Sequence, residues 1–159
     1  MKYIKLMKLM YLVEREALLR WGRPVTFDNF VSMPQGPVLS QTLNLMTGEI
    51  PPGVETVWRQ FISPPQGWDV SIIRESEVDE LSKAEVDLVE EIFGRFGSWD
   101  RWDLVRYTHE LPEWTDPNGS SIPIEYKRVL QVGGKSEQEI FEILSDLEEA
   151  ALFEQLLST

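Results

Sequence analysis

Cysteine is absent from the chain, and histidine occurs once, as His109. Without cysteine the protein can form neither a disulfide framework nor a thiolate nucleophile. Zinc is bound mainly by cysteine sulfur and histidine nitrogen, so a zinc site is not expected either. These absences predict a protein that carries no metal and no other cofactor.

Long apolar runs and an excess of positive charge are also missing. No stretch approaches the roughly 20 apolar residues of a membrane-spanning helix, and charged residues interrupt the apolar N-terminal segment, which argues against a signal peptide. Lys and Arg number 15 against 27 Asp and Glu, which gives a formal net charge of -12. Such a surface repels nucleic-acid phosphates and attracts basic partners. We therefore expect a cytoplasmic protein that binds neither membranes nor nucleic acid.

The chain does contain enough apolar material for a core. It has 159 residues, of which 42% are hydrophobic, including six Trp and seven Phe. This length and composition predict a single domain over residues 1–159.

The N-terminal segment is predicted to form the central helix of the fold. From Tyr3 to Trp21, apolar residues recur at three- and four-residue steps, which places them on one stripe. Leu9, Leu12 and Leu18 widen the stripe beyond what a surface helix needs, so we expect this helix to be packed on two sides. Gly22 is expected to end it in a left-handed conformation.

A small sheet is predicted beside this helix. Residues 25–33 and 68–73 alternate loosely between apolar and polar residues, which is typical of strands, and we expect them to pair with each other. The predicted fold class is therefore α+β: a mostly helical single domain around a central N-terminal helix, with a small antiparallel sheet.

The remaining helices are predicted from apolar periodicity and caps. Capping boxes at 82–85 and 136–139 start two of them, Ser98 is expected to cap another, and prolines 37 and 123 are expected at the starts of two more. Apart from the helix after residue 136, they are predicted over residues 38–47, 54–62, 83–96, 99–109 and 124–132. The side chains expected to face inward from two of them are Val86, Val89, Phe93 and Phe96, and Trp102 and Val105.

The loop over residues 107–116 is the best candidate for a chemical site. It holds His109, with Glu110, Glu113 and Trp114 close by. One interpretation is a general acid–base centre or a ligand pocket. The other is structural: the His109 ring bonds free carbonyls at a helix end, and Trp114 holds the loop to the core. No nucleophile accompanies the histidine, which favours the structural interpretation and a protein that is not an enzyme.

Two further patterns have both a functional and a structural interpretation. Gln35-Gly36-Pro37 could be a phosphate-binding turn, but no Lys or Ser follows it, so a rigid strand-to-helix turn is favoured. Tyr11 and Arg15 share one helix face and could contact a ligand, although packing of Tyr11 and pairing of Arg15 with an acid is favoured.

Three lysines, Lys2, Lys5 and Lys8, also line one face of the first helix. They are interpreted as a solvated basic edge or, alternatively, as a docking strip for an acidic protein.

Several segments together resemble the Panacea domain, the family of SocA-like antitoxins. They are K-L-M-K-L-M-Y-L-V-E-R-E, G-R-P-V-T and F-V-S-M-P-Q-G-P-V near the N-terminus, then Leu81-Ser82-x-x-Glu85, Tyr107-Thr-His109-Glu-Leu-Pro112-Glu-Trp114, Ile122-Pro123-Ile124 and Gly133. The resemblance covers residues 2–135 and keeps the family's order. Relatives usually carry another helix upstream, so one face of the first helix is expected to be exposed or covered by a second copy of the chain.

The resemblance implies an antitoxin that neutralises a cognate protein toxin by direct contact. Two alternatives stay open: an adaptor that delivers a toxin or another client to a Clp-type protease, and a ligand-binding protein or hydrolase around His109. The acidic surface would suit a basic toxin, and no helix-turn-helix with a basic face suggests DNA binding. The residues expected to bind the partner are Tyr11, Arg15, Met33, Gln35, Gly36, Pro37, Val38, His109, Glu113 and Trp114.

Overall fold

The computed structural model describes residues 1–53, 55–77 and 79–158 of the chain. Its elements, in chain order, are α1 (Tyr3–Trp21), β1 (Phe30–Met33), β2 (Gly36–Leu39), α2 (Ser40–Thr47), α3 (Glu55–Phe61), α4 (Lys83–Phe96), α5 (Arg101–His109), β3 (Ile122–Ile124), α6 (Tyr126–Val132) and α7 (Glu137–Leu157). The predicted α+β class, mostly helical with a small antiparallel sheet, is confirmed. The predicted start of the third helix at Val54 lies outside the described residues. Among those described, no helix is both long and apolar enough to span a bilayer.

Helix α1 is the centre of the fold and is packed on two sides, as predicted. Met7 and Leu18 belong to a core cluster that α1 shares with the sheet, α6 and α7. Leu12 and Ala17 belong to a second cluster, between α1, α4 and α5. Gly22 ends the helix in the left-handed conformation, with φ 69°.

The sheet has the strand order β2-β1-β3, and both pairings are antiparallel. The predicted pairing of residues 25–33 with residues 68–73 is therefore wrong. The backbone of 68–73 bonds instead to the ends of other elements: the Val70 N–H donates to the Met1 carbonyl at 2.9 Å, and the Ile73 N–H donates to the Phe61 carbonyl at 2.7 Å. A strand-like pattern cannot show which of several distant partners a segment meets.

Two prolines that were expected at helix starts lie in strands. Pro37 is in β2, opposite Ser32, and Pro123 is in β3, opposite Val31. The helices that follow begin later than predicted, α2 at Ser40 and α6 at Tyr126. Both strands flank β1 and form the edges of the sheet, where a residue without an N–H group is tolerated.

Helix α4 presents a different face to the core from the one predicted. Its capping box is confirmed, and Phe96 is buried as expected, but Leu88 and Ile92 are buried while Val89 and Phe93 are exposed. The buried stripe is therefore rotated by about one residue, or 100°. Val89 and Phe93 instead border a groove of about 260 Å³ between α4 and α1.

Helix α5 also differs from the prediction at its start. Asp100, rather than Ser98, is the N-cap, and its carboxylate accepts from the N–H groups of Trp102 and Asp103. Val105 is buried as expected, whereas Trp102 is exposed. The helix therefore begins at Arg101, two residues later than predicted.

Candidate functional site

The ten residues predicted to bind a partner come together where three segments meet. These segments are α1, the β1–β2 hairpin (30–39) and the loop 109–117 that follows α5. Tyr11 of α1 donates a hydrogen bond to Glu113 of this loop, and Trp114 of the loop donates one to the hairpin. Segments about 100 residues apart in sequence thus form one three-segment junction.

A buried carboxylate joins the loop to α1. The side chain of Glu113 is fully buried and accepts a hydrogen bond from the Tyr11 hydroxyl at 2.9 Å and from Arg15 Nε at 2.5 Å. Burial, followed by the Glu113 charge, raises the pKa of Tyr11 well above its usual value. Burial opposes the charge on Arg15, but the bond and charge of Glu113 outweigh it and raise the pKa of Arg15. This matches the favoured interpretation of Tyr11 and Arg15 as packing and ion-pairing residues.

The loop is also bonded to the hairpin. His109 Nε2 lies 3.0 Å from the Pro34 carbonyl, and its ring packs against the Trp114 ring with centroids 4.3 Å apart. Trp114 Nε1 donates to the Met33 carbonyl at 2.9 Å. The ring of His109 therefore bonds a carbonyl as the structural interpretation expected, although that carbonyl belongs to the hairpin rather than to the helix end.

Lys8 lies beneath the hairpin, and its interpretation as part of a solvated edge is wrong. The residue is buried, and its ammonium donates to the Pro37 carbonyl at 2.8 Å. None of the ion pairs among the described residues involves it. Burial lowers the pKa of Lys8 from 10.5 to about 7. Lys2 and Lys5 are half-buried and bond to Asp69 and to the Gly97 carbonyl.

Gly36 permits the hairpin to approach this lysine. Its φ is +100°, which glycine adopts far more easily than other residues. A Cβ at this position would lie 2.8 Å from Thr108 Oγ1 and 3.0 Å from Lys8 Nζ. The predicted rigid turn therefore exists, but it connects two strands rather than a strand and a helix.

The predicted site residues differ in their access to a partner. Gln35 is exposed at the tip of the hairpin, and the half-buried members are Arg15, Met33, His109 and Trp114. The buried members are Tyr11, Gly36, Pro37, Val38 and Glu113. In this conformation the buried members hold the exposed and half-buried members in place and do not themselves reach the surface.

Two features of the junction were not predicted from the sequence. One is the burial of Lys8, and the other is Thr108, which is buried beside Gly36. A signal for Lys8 was present, because Lys8, Tyr11 and Arg15 follow one another at three- and four-residue steps and so share a helix face. No local pattern indicates that Thr108 meets a glycine 72 residues away. Among the described residues, no group of three or more His, Asp or Glu side chains could hold a metal ion.

Comparison with known families gives one match. The family model described as "Antitoxin SocA-like, Panacea domain" matches residues 6–115. The chain belongs to this Panacea family. The match contains all ten residues of the predicted site. No curated protein and no solved structure matches the chain. The family description indicates an antitoxin role for this Panacea domain in general terms.

We expect Glu113→Ala to lower the free energy of unfolding by about 3 kcal/mol, because the change leaves a partly buried Arg15 and a buried Tyr11 hydroxyl without their acceptor. Urea denaturation measures the loss. Glu110→Ala is the matched control, since Glu110 is exposed on the same loop, and it should shift stability by less than about 0.5 kcal/mol. Equal effects of the two changes would contradict the buried ion pair.

The lowered pKa of Lys8 predicts a dependence of stability on pH. Between pH 7 and pH 10.5 the unfolded chain keeps a proton that the folded protein has released, so the Lys8 contribution to the free energy of unfolding rises with pH. Lys8→Met should therefore stabilise the protein by a few kcal/mol at pH 6, since each pKa unit corresponds to about 1.4 kcal/mol.

This gain should shrink toward pH 10, and urea denaturation at pH 6, 8 and 9.5 would measure it. Lys127→Met, at an exposed lysine of α6, is the control and should give no such trend. A gain for Lys8→Met that does not change with pH would show that the pKa of Lys8 is not lowered in the folded protein.

Gly36→Ala tests the close approach of the hairpin. The new Cβ would meet Thr108 and Lys8 and would also strain the backbone, so we expect a loss of about 3 kcal/mol. Gly134→Ala has a similar φ of +86° with no atom within 4 Å of the new Cβ, and it should cost about 1 kcal/mol. A thermal melt of both variants separates strain from crowding, and equal losses would rule out crowding at Gly36.

Proposed function

We propose that this Panacea domain is an antitoxin that neutralises a cognate protein toxin by binding it directly. The observation that carries the proposal is the family match over residues 6–115, which includes all ten residues predicted to bind the partner. The formal net charge of -12 supports a basic toxin as the partner. Opposite charge would speed the association and favour it over the binding of acidic proteins.

The contact surface that we propose is the rim of the three-segment junction. Gln35 projects from the hairpin tip, and Met33, His109 and Trp114 each keep part of their surface accessible beside it. Partly exposed tryptophans are frequent hot spots in protein interfaces. The buried bonds of Glu113 hold the loop before binding, which lowers the entropy that is lost on association.

Delivery of a toxin or another client to a Clp-type protease is a second candidate function. An adaptor needs a second docking surface besides the one that holds its client. The groove between α1 and α4 supports this candidate, because Val89 and Phe93 beside it are exposed and apolar. The two functions differ in the toxin level: masking leaves the toxin abundant, whereas delivery lowers it.

Catalysis around His109 has less support. The His109 ring is half-buried, and its contacts are the Pro34 carbonyl and the Trp114 ring. Both contacts suit a residue that joins loop to hairpin. His109→Gln would test this interpretation. Neutralisation of the toxin should persist in the folded variant, and loss of neutralisation with partner binding and thermal stability unchanged would support chemistry at this residue.

Co-expression with each adjacent gene is the deciding experiment. We expect one neighbour to be toxic alone, harmless with the Panacea domain and eluted with it on purification. Toxin abundance, followed by immunoblot in the same cells, separates masking from delivery. If no neighbour is toxic, or if a toxic neighbour is neither neutralised nor bound, the proposed function is wrong.

A matched pair of variants then tests the proposed surface. Gln35→Arg places a positive charge at the hairpin tip and should weaken the binding of a basic toxin at least tenfold. Gln41→Arg adds the same charge at an exposed site on α2 and should have little effect. Equal affinities of the two variants in titration calorimetry would remove the hairpin tip from the interface.

A further inference from the structure

Helix α7 extends beyond the body of the protein. Ser136 starts it with a capping box, Ile140 is buried, and Leu144 and Leu147 are half-buried against the first core cluster. Every residue from Glu148 to Ser158 is exposed. The segment 148–157, which we call the α7 overhang, is helical and about 15 Å long.

The α7 overhang is more apolar than a solvated helix end. Its exposed side chains include Leu152, at 61%, Phe153, at 63%, and Leu157, at 72%. Successive residues of a helix are separated by 100°, so Phe153 and Leu157, four residues apart, share a face, and Leu152 lies about 100° from Phe153. A broad exposed apolar face of this kind is typical of an amphipathic helix that becomes buried against another surface. The overhang therefore has the composition of a segment that inserts into a partner.

The charges on α7 limit what that partner can be. After Lys135 the chain has no Lys or Arg, whereas the overhang carries Glu148, Glu149 and Glu154. Helices that lie on membranes carry Lys and Arg toward anionic lipid, so an anionic surface would repel this one. Pairing with the same helix of a second copy would bring like charges together. A protein groove with an apolar floor and basic edges matches both the apolar and the acidic side chains.

We infer that the α7 overhang is a docking helix that inserts into an apolar, basic-edged groove on the toxin. This inference rests on the proposed function and adds a second contact to the one at the hairpin. It corresponds to the general mode in which a preformed amphipathic helix fills a groove. Because the overhang already continues a helix that is anchored on the core at Ile140, little ordering is needed when it binds.

The experiment uses the full chain and the toxin identified by co-expression. In one variant, Phe153→Gln and Leu157→Gln are combined, which removes the apolar contact and adds no charge. In a second, Glu148→Lys, Glu149→Lys and Glu154→Lys are combined. The matched controls are Val57→Gln, at an exposed apolar residue of α3, and Glu90→Lys, at an exposed acid of α4.

We expect the glutamine variant to raise the Kd for the toxin at least tenfold with an unchanged melting temperature, since the altered side chains lie outside the core. The lysine variant should slow association at least fivefold and reduce its dependence on salt. Both controls should bind like the unchanged chain. Calorimetry and stopped-flow mixing at two salt concentrations give these values.

Three outcomes would overturn the inference alone, and a fourth is the failure of the proposed function itself. If both overhang variants bind the toxin with full affinity while the unchanged chain neutralises it, the overhang is not part of the interface and the proposed function still stands. If sedimentation shows that the unchanged chain is a dimer and that the glutamine variant is a monomer, a second copy covers the overhang. The inference is then wrong, although the proposed function still stands. Binding of the unchanged chain to vesicles of neutral phosphatidylcholine would assign the overhang to lipid. If no neighbour is neutralised, the proposed function and this inference fail together.

Discussion

The carboxylate of Glu113 fixes the position of the loop after α5 relative to the central helix. Tyr11 and Arg15 both donate to it, and the neighbouring Trp114 and His109 then contact the β1–β2 hairpin. A buried carboxylate without partners would be far too costly to keep in this place. The geometry of the hairpin, and hence of its exposed tip, therefore depends on donors that α1 supplies.

Helix α1 provides these donors only because both of its sides are covered. One side contributes to the core under the sheet and the other to the core under α4 and α5, so little of its surface is left for solvent. A polar side chain that faces a covered side of such a helix must bond inside the protein, as Lys8 does with the Pro37 carbonyl. The contacts that we propose accordingly lie in the segments around α1, namely the hairpin tip, the loop and the outer half of α7.

Much of the helical part of the fold could be predicted, because helix signals are local. The two capping boxes, the end of α1 at Gly22 and the burial of α1 on two sides all follow from residues within a few positions of one another. The small sheet was expected, but its pairing was not: the local β1–β2 hairpin contains Pro37, which was expected to start a helix, and the β1–β3 pairing joins segments about 90 residues apart. A proline such as Pro123 has the same local signature in a first helical turn as in an edge strand. The members of the candidate site could be proposed, but their burial could not, because the bonds of Glu113 and Lys8 are long-range.

The prolines of the two edge strands limit how this sheet can take part in recognition. Proteins often capture an extended peptide by adding it as a further strand, which requires free backbone N–H and carbonyl groups along an edge. Pro37 in β2 and Pro123 in β3 each remove one N–H, and β2 is buried along its whole length. The sheet is thereby protected against growth by strand addition, including edge-to-edge aggregation. A partner that contacts this sheet would therefore be bound through side chains rather than through backbone hydrogen bonds to an added strand.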